Sequence, residues 1–129
     1  MLIDHGLELL DKSQCLSLLA SASIGRVATT VGGLPVIFPV NYKLVGGDVF
    51  FRTNEGTKLN AATRNAIVAF EVDECDDAAQ TGWSVLVIGR AARVAPDELH
   101  PSIPALLPDL ESCVRVVPEM ISGRRIALT

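Results

Sequence analysis

The run G-R-V-A-T-T-V-G-G-L-P-V-I-F-P-V-N-Y-K-L-V-G-G-D-V-F-F-R-T, residues 25–53, holds three stretches of β-forming residues separated by two Gly-Gly pairs. Val, Ile, Thr and Phe dominate the stretches, which predicts strands over 25–31, 34–45 and 49–53. Gly32-Gly33 and Gly46-Gly47-Asp48 leave no room for a crossover helix, so the strands form an antiparallel meander. In the second strand, Pro35 and Pro39 donate no ladder hydrogen bond, so the strand lies at an edge or carries a bulge near Phe38-Pro39. Either arrangement opens the main chain at Phe38, Pro39, Val40 and Asn41 to a flat polar heterocycle, and the Asn41 amide adds a donor and an acceptor. A plain edge strand, guarded by proline against aggregation, has the same pattern.

Downstream, F-F-R-T-N-E-G-T-K-L at 50–59 passes from strand through a tight turn to a helix over 57–65 with Thr57 at its N-cap. Such a junction presents partnerless N–H groups and the positive end of the macrodipole, which together welcome an anion. The dipole supplies only about 0.3–1 kcal/mol at an exposed end, too little to hold a ligand. Arg52 and Lys58, with the hydroxyls of Thr53 and Thr57, add charge-assisted hydrogen bonds and make the stretch a candidate phosphate cradle. The competing reading is an ordinary capped helix with two solvated cations.

Asn65 suits the end of that helix, and 66–72 reads as a strand buried on both faces. The acidic run Asp73, Glu74, Asp76 and Asp77 reads as a solvated loop, because carboxylates clustered in one turn without histidine are seldom a metal site; no metal is assigned. Residues 83–94 form the longest predicted strand, with Gly89 permitting a bulge that closes a barrel. Trp83, beside Gly82 and Ser84, suits a core anchor, a cofactor edge or a subunit contact. Pro96 begins a short helix that three further prolines before residue 109 curtail, and 113–117 and 121–128 are two closing strands. At the other end, residues 1–10 are an apolar lead-in, and Asp11 or Ser13 caps a helix that sets Cys15, Leu16, Leu19 and Ala20 on one face before ending at Ile24-Gly25. The sum is a mainly β chain: an antiparallel barrel with flanking helices, in one domain over 1–129.

A length of 129 residues suits one core. Fifteen acidic against eleven basic residues leave a net charge of −4, which excludes a general nucleic-acid binder. Cys15, Cys75 and Cys113 show neither a disulfide framework nor a zinc spacing, and no apolar run approaches a membrane span, so a cytoplasmic location is expected. There is no G-x-G-x-x-G after a first strand, no Walker motif and no βαβ alternation, which excludes Rossmann and P-loop folds.

Four segments resemble the pyridoxamine 5′-phosphate oxidase-like family of FMN-binding split barrels: I-G-R-V-A at 24–28, F-P-V-N-Y at 38–42, V-F-F-R-T-N-E-G-T-K-L at 49–59 and G-W-S-V-L-V-I-G-R-A at 82–91. The resemblance covers about residues 10–95 in family order and spacing. It implies an antiparallel split β-barrel in which the strand at 37–42 runs along the isoalloxazine and Arg52-Thr53 meets the flavin phosphate. Gly56-Thr57-Lys58 would complete the phosphate site, and Trp83 and Ser84 would reach the flavin of a second subunit. It further implies a homodimer with cofactor at the interface and an FMN-dependent oxidoreductase acting on a small organic substrate. A deazaflavin-dependent reductase on the same fold, or a non-enzymatic module for flavin or haem, are the alternatives. Pyridoxamine 5′-phosphate oxidase proper carries a lysine where this chain has Tyr42, and Arg-Lys where it has Lys58-Leu59, so two phosphate-side cations are missing and Arg52 is the compensating one. A bound flavin needs no obligatory acid–base side chain, and His5 and His100 lie outside all four segments, so no catalytic residue is assigned.

Overall fold

The computed structural model describes residues 2–3, 7–53, 65–94 and 112–127. In chain order these form β1 (Leu2–Ile3), β2 (Leu7–Leu10), α1 (Lys12–Ser21), β3 (Ile24–Val31), β4 (Leu34–Val45), β5 (Asp48–Thr53), β6 (Ala66–Asp76), β7 (Thr81–Val94) and β8 (Ser112–Ala127). The strands make one antiparallel sheet in the order β1-β2-β8-β5-β4-β3-β6-β7, and a further β8–β7 pairing closes it into a barrel. The fold is the antiparallel split barrel that the resemblance implies.

The meander forms as its turns require. Gly32, Gly33, Gly46 and Gly47 all take positive φ, between 57° and 87°. Two such residues in a row give the mirror-image turn whose twist matches the flanking strands, and only glycine adopts it freely. The β3–β4 ladder then runs without interruption from Val31↔Leu34 to Ile24↔Asn41, so no bulge sits at Phe38-Pro39. The strand resolves its prolines in the other way, by lying at an edge.

β7 and β8 bulge against each other at Ile88/Gly89, where glycine was expected to bend the strand. A Cβ at Gly89 would lie 2.2 Å from the Val117 carbonyl oxygen, so the close approach of the two backbones requires the absence of a side chain. β8 serves as the spine: its first half pairs with both β5 and β7, its second half with both β2 and β7.

Interior positions alternate with exterior ones, and Val27, Val49, Phe51, Val68, Phe70, Val72, Val85, Val87, Val114 and Val116 fill the barrel. Tyr42 and Phe70 meet edge to face with ring centroids 4.8 Å apart. α1 closes one end with buried Cys15 and Leu19. Asp11, not Ser13, caps it: Asp11 Oδ1 accepts from Gln14 N at 2.8 Å while Gln14 Oε1 accepts from Asp11 N at 2.9 Å, a reciprocal capping box.

Several expectations need correction. The helix ends at Ser21, with Ala22 already extended, three residues before Ile24-Gly25. Residues 2–3 and 7–10 are strands instead of a lead-in. The two closing strands are one 16-residue strand, longer than the 14-residue β7, and Pro118 is accommodated opposite Gly89 at the bulge. β6 is buried on one face only: Val68, Phe70 and Val72 point inward while Ile67 is 48% exposed. Asp73–Asp76 extend β6 instead of forming a loop. The predicted helices over 57–65 and from 96 lie outside the described residues.

Candidate flavin-binding fork

β4 changes partners along its length. Residues 42–45 pair with β5, from Tyr42↔Phe51 to Val45↔Asp48, whereas residues 34–41 pair with β3 alone. The barrel therefore splits one step beyond Tyr42↔Phe51, where Asn41 on β4 and Arg52 on β5 stand at the two lips of a fork.

The register also fixes what the open edge offers. In a two-residue hairpin the closing pair exchanges both hydrogen bonds, and the ladder alternates from there. With Val31↔Leu34 as the closing pair, Val36, Phe38 and Val40 direct their N–H groups to β3. The Tyr42 N–H, which donates to the Ser23 carbonyl at 3.0 Å, continues that alternation. Residues 35, 37, 39 and 41 face the open edge. Pro35 and Pro39 occupy two of those places, so the edge presents the N–H groups of Ile37 and Asn41 alone, together with carbonyl oxygens. Sparse donors spaced four residues apart discourage strand addition and leave points where a planar ligand edge can bond.

Side chains of the predicted site divide between two faces. Phe38 and Val40 point inward, the latter 8% exposed; Pro39 and Asn41 are exposed on the outer face. Arg52 is half-buried on the outer face, paired in register with Cys113, while Thr53 is buried on the inner one. Both residues interact with other groups of the chain. Tyr42 is directed into the barrel, where its hydroxyl donates to the Leu19 carbonyl. Desolvation, reinforced by Glu74, pushes its pKa up to about 12. Trp83 packs on the core from the inner face of β7; Ser84 emerges on the outer face beside Asp73 of β6, two strands away from β4. Within one chain, then, the fork gathers Pro39, Asn41 and Arg52, and it does not gather Trp83 or Ser84. Thr57 and Lys58 lie outside the described residues, as do His5 and His100.

Burial raises the thiol pKa of Cys15 and of Cys113, with Arg52 pulling the latter partly back, so neither is a ready thiolate. Among the described residues no group of His, Cys, Asp and Glu could hold a metal ion, and no helix is long and apolar enough to cross a membrane.

One cluster escaped the sequence. Arg26 Nη1 lies 3.1 Å from Glu71 Oε1 and 3.2 Å from Asp73 Oδ2, on the outer face where β3 crosses β6. Its signal, carboxylates two apart on one strand face, was present, but the register that brings Arg26 against them was not.

The family model described as pyridoxamine 5′-phosphate oxidase matches residues 11–125, which takes in the cap of α1, the fork and the spine strand. The chain belongs to this family. It is 37% identical to the Mycobacterium tuberculosis protein Rv0080 over 130 residues, 91% of this chain and 84% of the relative. The solved FAD binding protein of Mycobacterium smegmatis is 39% identical, with a TM-score of 0.76 over 93% of this chain and 98% of its own. A conserved Corynebacterium diphtheriae protein of unknown function is 35% identical, with a TM-score of 0.77 over 94% of this chain and 98% of its own.

Proposed function

We propose that this family member binds a flavin nucleotide at the β4–β5 fork and works as an oxidoreductase on a small organic substrate, as a homodimer in the cytoplasm. The observation that carries the proposal is the open edge of β4, whose donors at Ile37 and Asn41 lead to the lip where Arg52 stands. A flat heterocycle fits the edge, and its phosphate fits the guanidinium end, with Thr57 and Lys58 next in sequence. Tyr42 cannot stand in for the oxidase's lysine, because its hydroxyl is spent on Leu19 inside the barrel. The cationic duty then falls to Arg52 and Lys58. A bound flavin supplies the hydride chemistry, and the chain's own groups hold and orient it. Trp83 and Ser84, remote from the fork of their own chain, take part only if they serve the fork of a second copy.

The test is spectroscopic. The purified chain is expected to carry or take up FMN with a shifted flavin absorption band. Arg52→Ala and Lys58→Ala each remove a charged hydrogen-bonding group worth about 1.5–3 kcal/mol, so FMN affinity should fall roughly tenfold to a hundredfold while riboflavin affinity holds. No uptake of any flavin would overturn the proposal. FAD is the second reading, favoured by the 39% identity to a protein described as FAD binding. Competition among FMN, FAD and a deazaflavin ranks the cofactors, and NAD(P)H-dependent reduction of the bound flavin separates an enzyme from a storage or haem-binding module.

A further inference from the structure

The outer face of the β4-β3-β6-β7 sheet is apolar to a degree that a solvated surface does not need. Ile24, Ile37 and Ile67 are 61%, 68% and 48% exposed there. Between the strands lies a groove of about 300 Å³ floored by Ala28, Ile37, Ala69 and Leu86. Exposed apolar surface with a polar rim marks a contact site. Its rim carries both signs of charge, Arg26 against Glu71 and Asp73. In an isologous contact the same patch meets itself, so the guanidinium of one copy can come opposite the carboxylates of the other. A partner of uniform charge would match only half of the rim.

We propose that a second copy of the chain docks on this face, and that the Arg26–Glu71–Asp73 cluster makes the docking weaken as pH rises. The inference rests on the homodimer reading above and adds where the copies meet and what regulates them. Glu71 and Asp73 share a proton. Burial, the hydrogen bond to Asp73 and its charge together hold the Glu71 carboxyl up to about 7, against the pull of Arg26, while the bond from Glu71 is the main cause lowering Asp73. With that proton in place the cluster is neutral; without it, the cluster carries one net negative charge. Two such clusters brought together at a two-fold interface are neutral at low pH and repel at high pH, and covering Glu71 desolvates it further. Association therefore takes up protons and is lost as pH rises through and above the neutral range. Among the described residues, β3 opposes Glu71 with Arg26, β7 opposes it with Leu86 and, at the next pair, Ser84, and its own strand adds Asp73. Arg90 of β7 is turned to the Asn65 carbonyl at 3.0 Å.

Sedimentation velocity on the full chain, with and without FMN, tests this at pH 6 and pH 8.5. The dimer dissociation constant should rise roughly tenfold or more between the two. Glu71→Gln, which cannot titrate, should remove that dependence and so separate it from any due to His5 or His100. Ile37→Asp should give a monomer at both pH values with an unchanged circular dichroism spectrum. A dimer indifferent to Ile37→Asp, or a chain monomeric throughout, would overturn the surface. A dissociation constant that ignores pH, or that still follows it in Glu71→Gln, would overturn the switch. Flavin uptake in the same samples keeps the two proposals apart: a pH-dependent dimer without flavin refutes the cofactor reading alone, and a flavin-binding monomer refutes this one alone.

Discussion

A tyrosine where the oxidase proper carries a lysine is more than a lost cation. Tyr42 is 3% exposed, packs edge to face on Phe70 and donates to the Leu19 carbonyl, so it ties β4 to α1 and to the core at once. Because the folded state holds its pKa at about 12, above the ordinary value of 10, the hydroxyl stabilises the fold fully below pH 10, and that contribution is lost as pH rises from 10 through 12. The sequence has one tyrosine, so absorbance at tyrosinate wavelengths reports it directly. Its titration should stay suppressed until the chain unfolds in alkali. Tyr42→Phe should cost about 1–3 kcal/mol in urea denaturation at pH 7, by leaving a buried carbonyl without its donor, and should flatten the alkaline loss of stability. An ordinary tyrosinate curve centred near 10 in the native chain would contradict the buried placement.

At the scale of elements, legibility followed distance along the chain. The β3-β4-β5 meander could be read because each pairing is set by two glycines between adjacent strands, a local device. The Asp11 cap is equally local. β8 could not: its continuity through Pro118 depends on β7 supplying Gly89 opposite, some thirty positions earlier, and neither residue announces the other. β6 looked doubly buried because Ala and Ile read as core in any context, whereas the chain alone leaves its outer face open. In the candidate site, Asn41 and Arg52 were legible as residue types, but the fork that sets them apart from Trp83 and Ser84 comes from partner exchange along β4. Gly89→Ala tests the β7–β8 contact. A Cβ 2.2 Å from a backbone oxygen cannot be relieved by a rotamer, so the substitution should cost about 1–3 kcal/mol or more and shift the chemical denaturation midpoint accordingly. The same change at Gly33, which has open space around it, meets only the strain of its positive φ and should cost less.

The molecule as a whole has two apolar surfaces with different duties, and substitutions can separate them. The inner one, centred on Phe70 at 0% exposure, holds the barrel closed; the outer one, centred on Ile37 at 68%, contributes nothing to closure because water reaches it. Phe70→Ala should therefore destabilise the chain by about 3–5 kcal/mol, whatever the protein concentration, since the cavity it leaves lies within one copy. Ile37→Ser should leave the stability of an isolated chain within about 0.5 kcal/mol of the parent. Its effect should appear instead in association, as a midpoint that no longer rises with protein concentration, because docking stabilises the native state by mass action. Chemical denaturation of both variants at two concentrations a hundredfold apart distinguishes the roles. If Ile37→Ser lowered stability at both concentrations alike, the outer face would belong to the fold of the single chain, and the apolar residues on β3, β4 and β6 would need a covering element within the same chain.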